Sequence, residues 1–126
     1  MGPLSYEFET PDHTKTLWDP ALRVGKVYVC VAQGVGEHLD LPTGLTPNAR
    51  GGAYVDLGTF QQFTQGMYNA YCSTGHFILR DLLRGLLLSS IVMLENGGRT
   101  IVRDPECEAG LLAERDAYVR GMWVED

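Results

Sequence analysis

The most restrictive stretch of this chain is CSTGHFILRDLLRGLLLSSIVMLEN, Cys72–Asn96. Its apolar positions are Phe77, Ile78, Leu79, Leu82, Leu83, Leu86, Leu87, Leu88, Ile91, Val92, Met93 and Leu94. A surface helix shows one apolar stripe at i, i+3, i+4 and i+7. Here the apolar arc wraps well past half of the circumference, so neighbours must pack on most sides. Leucine dominates, and it loses little rotamer freedom in a helix. A strand of this length would be unusual. The segment Ser73–Leu94 therefore reads as a buried central helix, capped by Ser73 or Thr74 and stopped by Asn96-Gly97-Gly98. The longest charge-free run, Gly85–Leu94, falls well short of the roughly 20 apolar residues of a membrane span.

A chain of 126 residues is one domain, residues 1–126, with room for a proper core. Leu4–Glu9 alternates apolar and polar, as a short half-buried strand does. Thr14–Trp18 reads as an approach segment. Asp19-Pro20 has the chemistry of a helix start, and Val24, Val27, Tyr28, Val31 and Val35 keep helical spacing to about Leu39. Val27–Ala32, VYVCVA, reads locally as a strand, and Gly25, Gly34 and Gly36 weaken a helix unless they mark close contacts. The cap and the longer period favour the helix. Leu41–Gly52 is a loop by its Pro and Gly content, and Ala53–Asp56 a short strand.

Asp56 then caps a second helix, Leu57 to about Cys72. Leu57, Phe60, Phe63, Met67 and Tyr71 share one face. Gln61, Gln62, Gln65 and Asn69 lie away from it, polar but uncharged, which suggests an interface. At Cys72–Gly75 a break and a kink are both open. Arg99–Arg103 reads as a strand, and Asp104-Pro105 as the start of a last helix to about Trp123, with Leu111, Leu112, Tyr118, Val119 and Met122 inward. The expected fold is mainly α: a four-helix, bundle-like domain around a central buried helix, with two or three short strands.

The runs Tyr6-Glu7-Phe8, Leu17-Trp18-Asp19-Pro20 and Leu41-Pro42-Thr43-Gly44-Leu45, followed by His76, Leu79-Arg80, Leu83 and Gly85, carry a resemblance. Over roughly Tyr6 to Glu95 the chain resembles a family of uncharacterised small proteins from actinobacteria, a domain of unknown function. The resemblance implies a small cytoplasmic bacterial protein. It transfers no activity and no catalytic residue.

The formal net charge of −6 argues against nucleic acid and anionic membranes as partners, since phosphate attraction needs a clustered basic surface. It suits a basic protein partner, although simple solubility also accounts for it. Cys30, Cys72 and Cys107 are odd in number and far apart, which favours reduced thiols and a cytoplasmic setting. Phosphate loops, zinc pairs and nucleophile elbows are absent from the sequence, so no metal and no cofactor is expected.

One constellation remains. His76, Arg80 and Arg84 fall at i, i+4 and i+8 on the central helix and need something negative beside them. An internal carboxylate from Glu7, Glu9, Asp19, Asp56 or Glu95 ranks first, and a solvated stripe second. An anionic ligand ranks third, gripped by the arginines with His76 as acid or base and Tyr68, Tyr71 and Cys72 as a wall. Tyr118, Met122 and Trp123 have a partner-anchoring reading beside a core one.

The expected function is a non-enzymatic protein-interaction protein, immunity-like or regulatory, binding a basic partner. The alternative is a small-molecule-binding protein or small cofactor-free biosynthetic enzyme with a pocket at the central helix. A homo-oligomeric structural module, such as a homodimer, comes third.

Overall fold

A computed structural model describes residues 5–108, 111 and 119–122. The chain order is β1 (Phe8–Glu9), β2 (Thr16–Trp18), α1 (Leu22–Leu39), β3 (Leu45–Pro47), β4 (Ala53–Val55), α2 (Leu57–Ser73) and α3 (Phe77–Asn96). The strands form one four-stranded mixed sheet in the order β2-β1-β4-β3. β1 runs antiparallel to β2 and parallel to β4, and β3 pairs antiparallel with β4. This overturns the mainly-α, four-helix bundle expected from the sequence: the fold is mixed α/β. The reason is strand length. Two or three residues carry too little alternation to register, and pairing partners that lie far apart in the chain assemble the sheet. β2 falls in the expected approach segment, and β3 in the expected loop.

α1 runs straight through Val27–Ala32. Its buried positions, Gly25, Tyr28, Ala32 and Gly36, recur at helical spacing, so the longer period prevails over local β-branching. The glycines at the buried positions are close contacts. A Cβ on Gly25 would lie 2.3 Å from Tyr6 Cβ, and one on Gly36 would lie 2.9 Å from the Leu41 carbonyl oxygen. The helix starts later than Asp19-Pro20 suggests, because the Pro20 carbonyl accepts the Tyr6 N–H at 2.9 Å. That peptide belongs to the approach of the first strand. The α1 C-terminus is closed by Asp40 in the left-handed region, φ 55°.

Asp56 caps α2 as its chemistry suggests, its Oδ1 accepting the Thr59 N–H at 3.1 Å. Between α2 and α3 the chain breaks: the first helix ends at Ser73 and the second starts at Phe77. Every residue of α3 from Leu86 to Leu94 is buried. The first turns are not: Phe77 is 71% exposed, Ile78 52% and Leu82 71%. The leucine-dense element is therefore continuously dry only from Leu86 onward, with Leu83 buried ahead of it.

The core has an aromatic cluster at the sheet end of α1. Phe8 stacks on Trp18 with ring centroids 5.5 Å apart, and Tyr28 meets both rings edge-on at 5.3 and 5.6 Å. Burying rings of this size in stacked and edge-on geometry contributes more than their area alone.

The segment after α3 is extended but forms no strand, contrary to the expectation for Arg99–Arg103. It lies along α2, and side chains of α2 take the place of a neighbouring strand. Gln65 accepts the Val102 N–H at 2.6 Å and donates to the Val102 carbonyl at 3.0 Å. Gln61 donates to the Thr100 carbonyl at 2.5 Å and accepts from Arg99 at 2.9 Å. Tyr68 accepts the Asp104 N–H at 2.9 Å, and Cys72 is disulfide-bonded to Cys107. Residues 61, 65, 68 and 72 form one stripe of α2. Part of the uncharged polar face, Gln61 and Gln65, is thus an interface within the chain, whereas Gln62 and Asn69 are exposed. Of the three cysteines expected to be reduced, Cys72 and Cys107 are joined and Cys30 alone is free and exposed. Pro105–Glu108 is helical. Tyr118 and Trp123 lie outside the described residues, whereas Met122 is buried.

Candidate functional site

The cationic stripe expected on α3 is resolved by contacts other than the carboxylates named for it. Arg80 lays its guanidinium over the Tyr71 ring, 5.0 Å from the centroid, and its Nε donates to the Tyr71 carbonyl at 3.1 Å. A cation on an aromatic face keeps its charge stabilised without an anion. Arg84 pairs with Asp81, one turn away, at 2.9 Å. His76 stands exposed before the first turn, its ring stacked near Phe77 at 6.1 Å. Tyr71 joins this group through Arg80. Tyr68 does not: it is turned towards the segment after α3 and donates to Glu108 Oε2 at 2.8 Å. Burial raises its hydroxyl pKa above the ordinary phenol value.

The carboxylates have other partners. Glu7 accepts the Thr16 hydroxyl at 2.6 Å, Asp56 caps α2, and Glu95 lies 3.7 Å from Arg103. Glu9 is the most enclosed, its side chain only 4% exposed. Arg50 reaches its two oxygens at 2.5 and 2.6 Å, and His13 Nδ1 lies 2.5 Å from Oε1. His13 itself sits in the left-handed region, φ 62°, which histidine adopts more readily than most side chains. A buried carboxylate held this way by the β1–β2 and β3–β4 loops is an anchor between them. Arg50 and His13 occupy the oxygens that a ligand would need.

The feature that sequence reasoning missed is an open apolar face. On α1, Val24, Val27 and Val31 are 49%, 56% and 43% exposed. Ile78 and Leu82 are likewise exposed on the first turns of α3, and Leu82 shares a groove with Val31. Between the two helices lies a groove of about 450 Å³, lined by Val31, Val35, His38 and Leu39 of α1, Ala70 of α2, and Leu79 and Leu82 of α3. Among the described residues, His38 is its only ionisable lining residue. The valines had a signal, since they sit at helical spacing, but so does a core stripe. The distinguishing fact is that Gly25, Tyr28, Ala32 and Gly36 already supply the buried face of α1, which leaves the valines beside it.

Among the described residues, no helix is long and apolar enough to cross a membrane, and no group of three or more His, Cys, Asp or Glu side chains could hold a metal ion. The reduced-thiol argument for a cytoplasmic setting loses its support from Cys72 and Cys107, because disulfides persist mainly in oxidising compartments. The profile of a family of unknown function (DUF6086) matches residues 4–124. It extends beyond Glu95, where the resemblance read from short motifs ends. No curated protein and no solved structure matches the chain.

Proposed function

The chain belongs to that family of unknown function, so its own surface must carry the reading, and we propose that it is a non-enzymatic protein-interaction protein whose contact surface is the α1–α3 face. The observation behind this is the apolar groove between α1 and α3, lined by Val31 and Leu82 among others, with Val24 and Val27 exposed further along α1 and Ile78 exposed one turn before Leu82. Contiguous apolar surface left on a folded domain commonly marks a contact site. The role that fits is regulatory or immunity-like, in which the docked protein is held or blocked. Part of the negative charge lies on other parts of the surface, with exposed Asp12, Asp19, Asp56, Asp104 and Glu106. There it would steer a basic protein in a salt-dependent manner.

A photo-crosslinking residue placed at Val27 tests the reading in living cells. A discrete protein adduct at Val27, with none at Thr46 on the sheet edge, is the expected result. No adduct at Val27 would reject it.

The groove volume favours a second reading. About 450 Å³ lies within the roughly 300–1,000 Å³ of small-molecule sites. A ligand there would be apolar and would meet His38, whereas His76, Arg80 and Arg84 do not line the groove. Saturable binding of a small apolar carboxylic acid, lost in Leu79→Asp and kept in Val24→Asp, would favour this reading over protein docking.

A further inference from the structure

The solvent-facing side of α1 has a pattern of its own. Val24, Val27, Val31, Gly34 and His38 alternate in steps of three and four, which is the seam of a heptad repeat. Arg23, Cys30 and Glu37 are spaced seven residues apart and all precede a seam position, so they line one flank of it. On the other flank Val31, Gly34 and His38 share the groove with Leu79 and Leu82 of α3. Arg23, Lys26, Glu37 and Asp40 form no ion pair among the described residues. A basic start, an acidic end and an apolar seam between them make a helix complementary to itself when reversed.

Building on the α1–α3 face as a protein contact surface, we infer that its occupant is a second copy of this chain, with α1 packed antiparallel on α1 of the partner copy. A two-fold axis passing near Cys30 sets Arg23 of each copy against Glu37 of the other. Val27 then faces Val31, and Val24 faces Gly34, where the missing side chain gives valine room. A Cβ at Gly34 would meet nothing within 4 Å in the single chain, so the chain itself has no use for the glycine. The antiparallel sense also sets the positive end of each helix dipole beside the negative end of the other. A parallel pairing would bring the basic ends together and leave Glu37 without its complement. The same two-fold lays the Arg23–Val27 end of each α1 against the groove end of the other, so that the partner's first turns cover the groove.

Light scattering and sedimentation of the whole protein test this directly. The expected state is a dimer that Val31→Asp converts to monomer without loss of helix content, since Val31 is a surface residue. Arg23→Glu and Glu37→Arg should each weaken the dimer about tenfold, because each removes two ion pairs and places like charges together. The double reversal should restore the affinity to near that of the parent, which a merely structural role would not do. A bis-maleimide with a reach of roughly 10 Å, the spacing of packed helices, should join two chains through Cys30, and Cys30→Ser should abolish the product. A dimer indifferent to Val31→Asp, or one that Cys30 cannot crosslink, overturns the inference. So does a monomer at high micromolar concentration. If a monomer still gives a Val27 adduct to a different protein, the self-pairing falls while the contact surface stands.

Discussion

Tyr28 donates its hydroxyl to Ser90 Oγ across 2.6 Å, tying α1 to α3 in the interior. The direction follows from the serine, whose own proton goes to the Leu86 carbonyl at 2.7 Å. Burial pushes the Tyr28 hydroxyl far above the ordinary phenol range, so it stays a donor wherever the fold is stable. Ser90→Ala strands that buried hydroxyl and should destabilise the protein by about 1–3 kcal/mol. Tyr28→Phe keeps the ring contacts with Phe8 and Trp18 and leaves Ser90 bonded, so it should cost nearer 1 kcal/mol. Denaturant unfolding of the two variants checks the order, and a larger loss for Tyr28→Phe would contradict the assigned direction.

The Cys72–Cys107 disulfide closes a loop with a sequence separation of 35. Loop-closure entropy for that length is worth about 3–4 kcal/mol. Cys72→Ser with Cys107→Ser should lower the thermal midpoint by many degrees. The loss should fall hardest on the segment after α3, which the disulfide holds to α2. Amide exchange at Val102 and Asp104 would read it, and unchanged protection there would show that Gln65 and Tyr68 suffice alone.

Asp12 closes the β1–β2 turn. Thr10 donates its hydroxyl to Asp12 Oδ1 at 2.6 Å, and Thr14 donates its hydroxyl at 2.7 Å and its N–H at 3.1 Å. The Thr10 and Thr14 hydrogen bonds lower its pKa from 3.8 to about 2. A folded-state value below the unfolded one means that the stabilising effect is complete above pH 3.8 and fades as pH falls towards 2. Carboxyl NMR should place the Asp12 midpoint well below the ordinary aspartate value of 3.8. In Asp12→Asn the acid-side slope of stability should flatten, and an unchanged slope would show that the turn does not sense the charge.

Gly25 and Gly34 lie on the same helix and should respond with opposite sign. Alanine at Gly25 would put its Cβ 2.3 Å from Tyr6 Cβ, so α1 must move off Tyr6, two residues ahead of β1, at a cost of about 1–3 kcal/mol. Alanine at Gly34 meets open space and should stabilise the helix by about 1 kcal/mol. Thermal unfolding in a Val31→Asp background keeps self-association out of the comparison.

Local chemistry was legible in the residues. Asp56 caps α2, the glycine pair ends α3, and α1 runs through its valine-rich middle, because caps, stops and helical period are decided within a few residues. What depended on distant partners was not legible. Phe8 and Glu9 pair with Ala53 and Tyr54, and nothing in so short a strand announces a neighbour that far along. Arg99–Arg103 has the composition of a strand, yet its hydrogen bonds go to glutamine side chains. The pairing of Cys72 with Cys107 follows only once that segment is known to turn back along α2. The stripe of His76, Arg80 and Arg84 was readable as spacing, but whether Arg80 would meet a carboxylate or the face of Tyr71 was not. The open valine face was hidden for a related reason: a stripe at helical period looks the same whether it lies in the interior or beside it.

The position of β1 has a consequence for how the molecule is made. Of the four strands of this sheet, β1 leaves the ribosome before the others, yet it sits in the middle, between β2 and β4. Its hairpin with β2 can form early, but its other edge stays bare until Ala53–Val55 has been synthesised. A ribosome stalled just before that point should carry a nascent chain with an open strand edge, vulnerable to chaperone capture, and one stalled well past it should not.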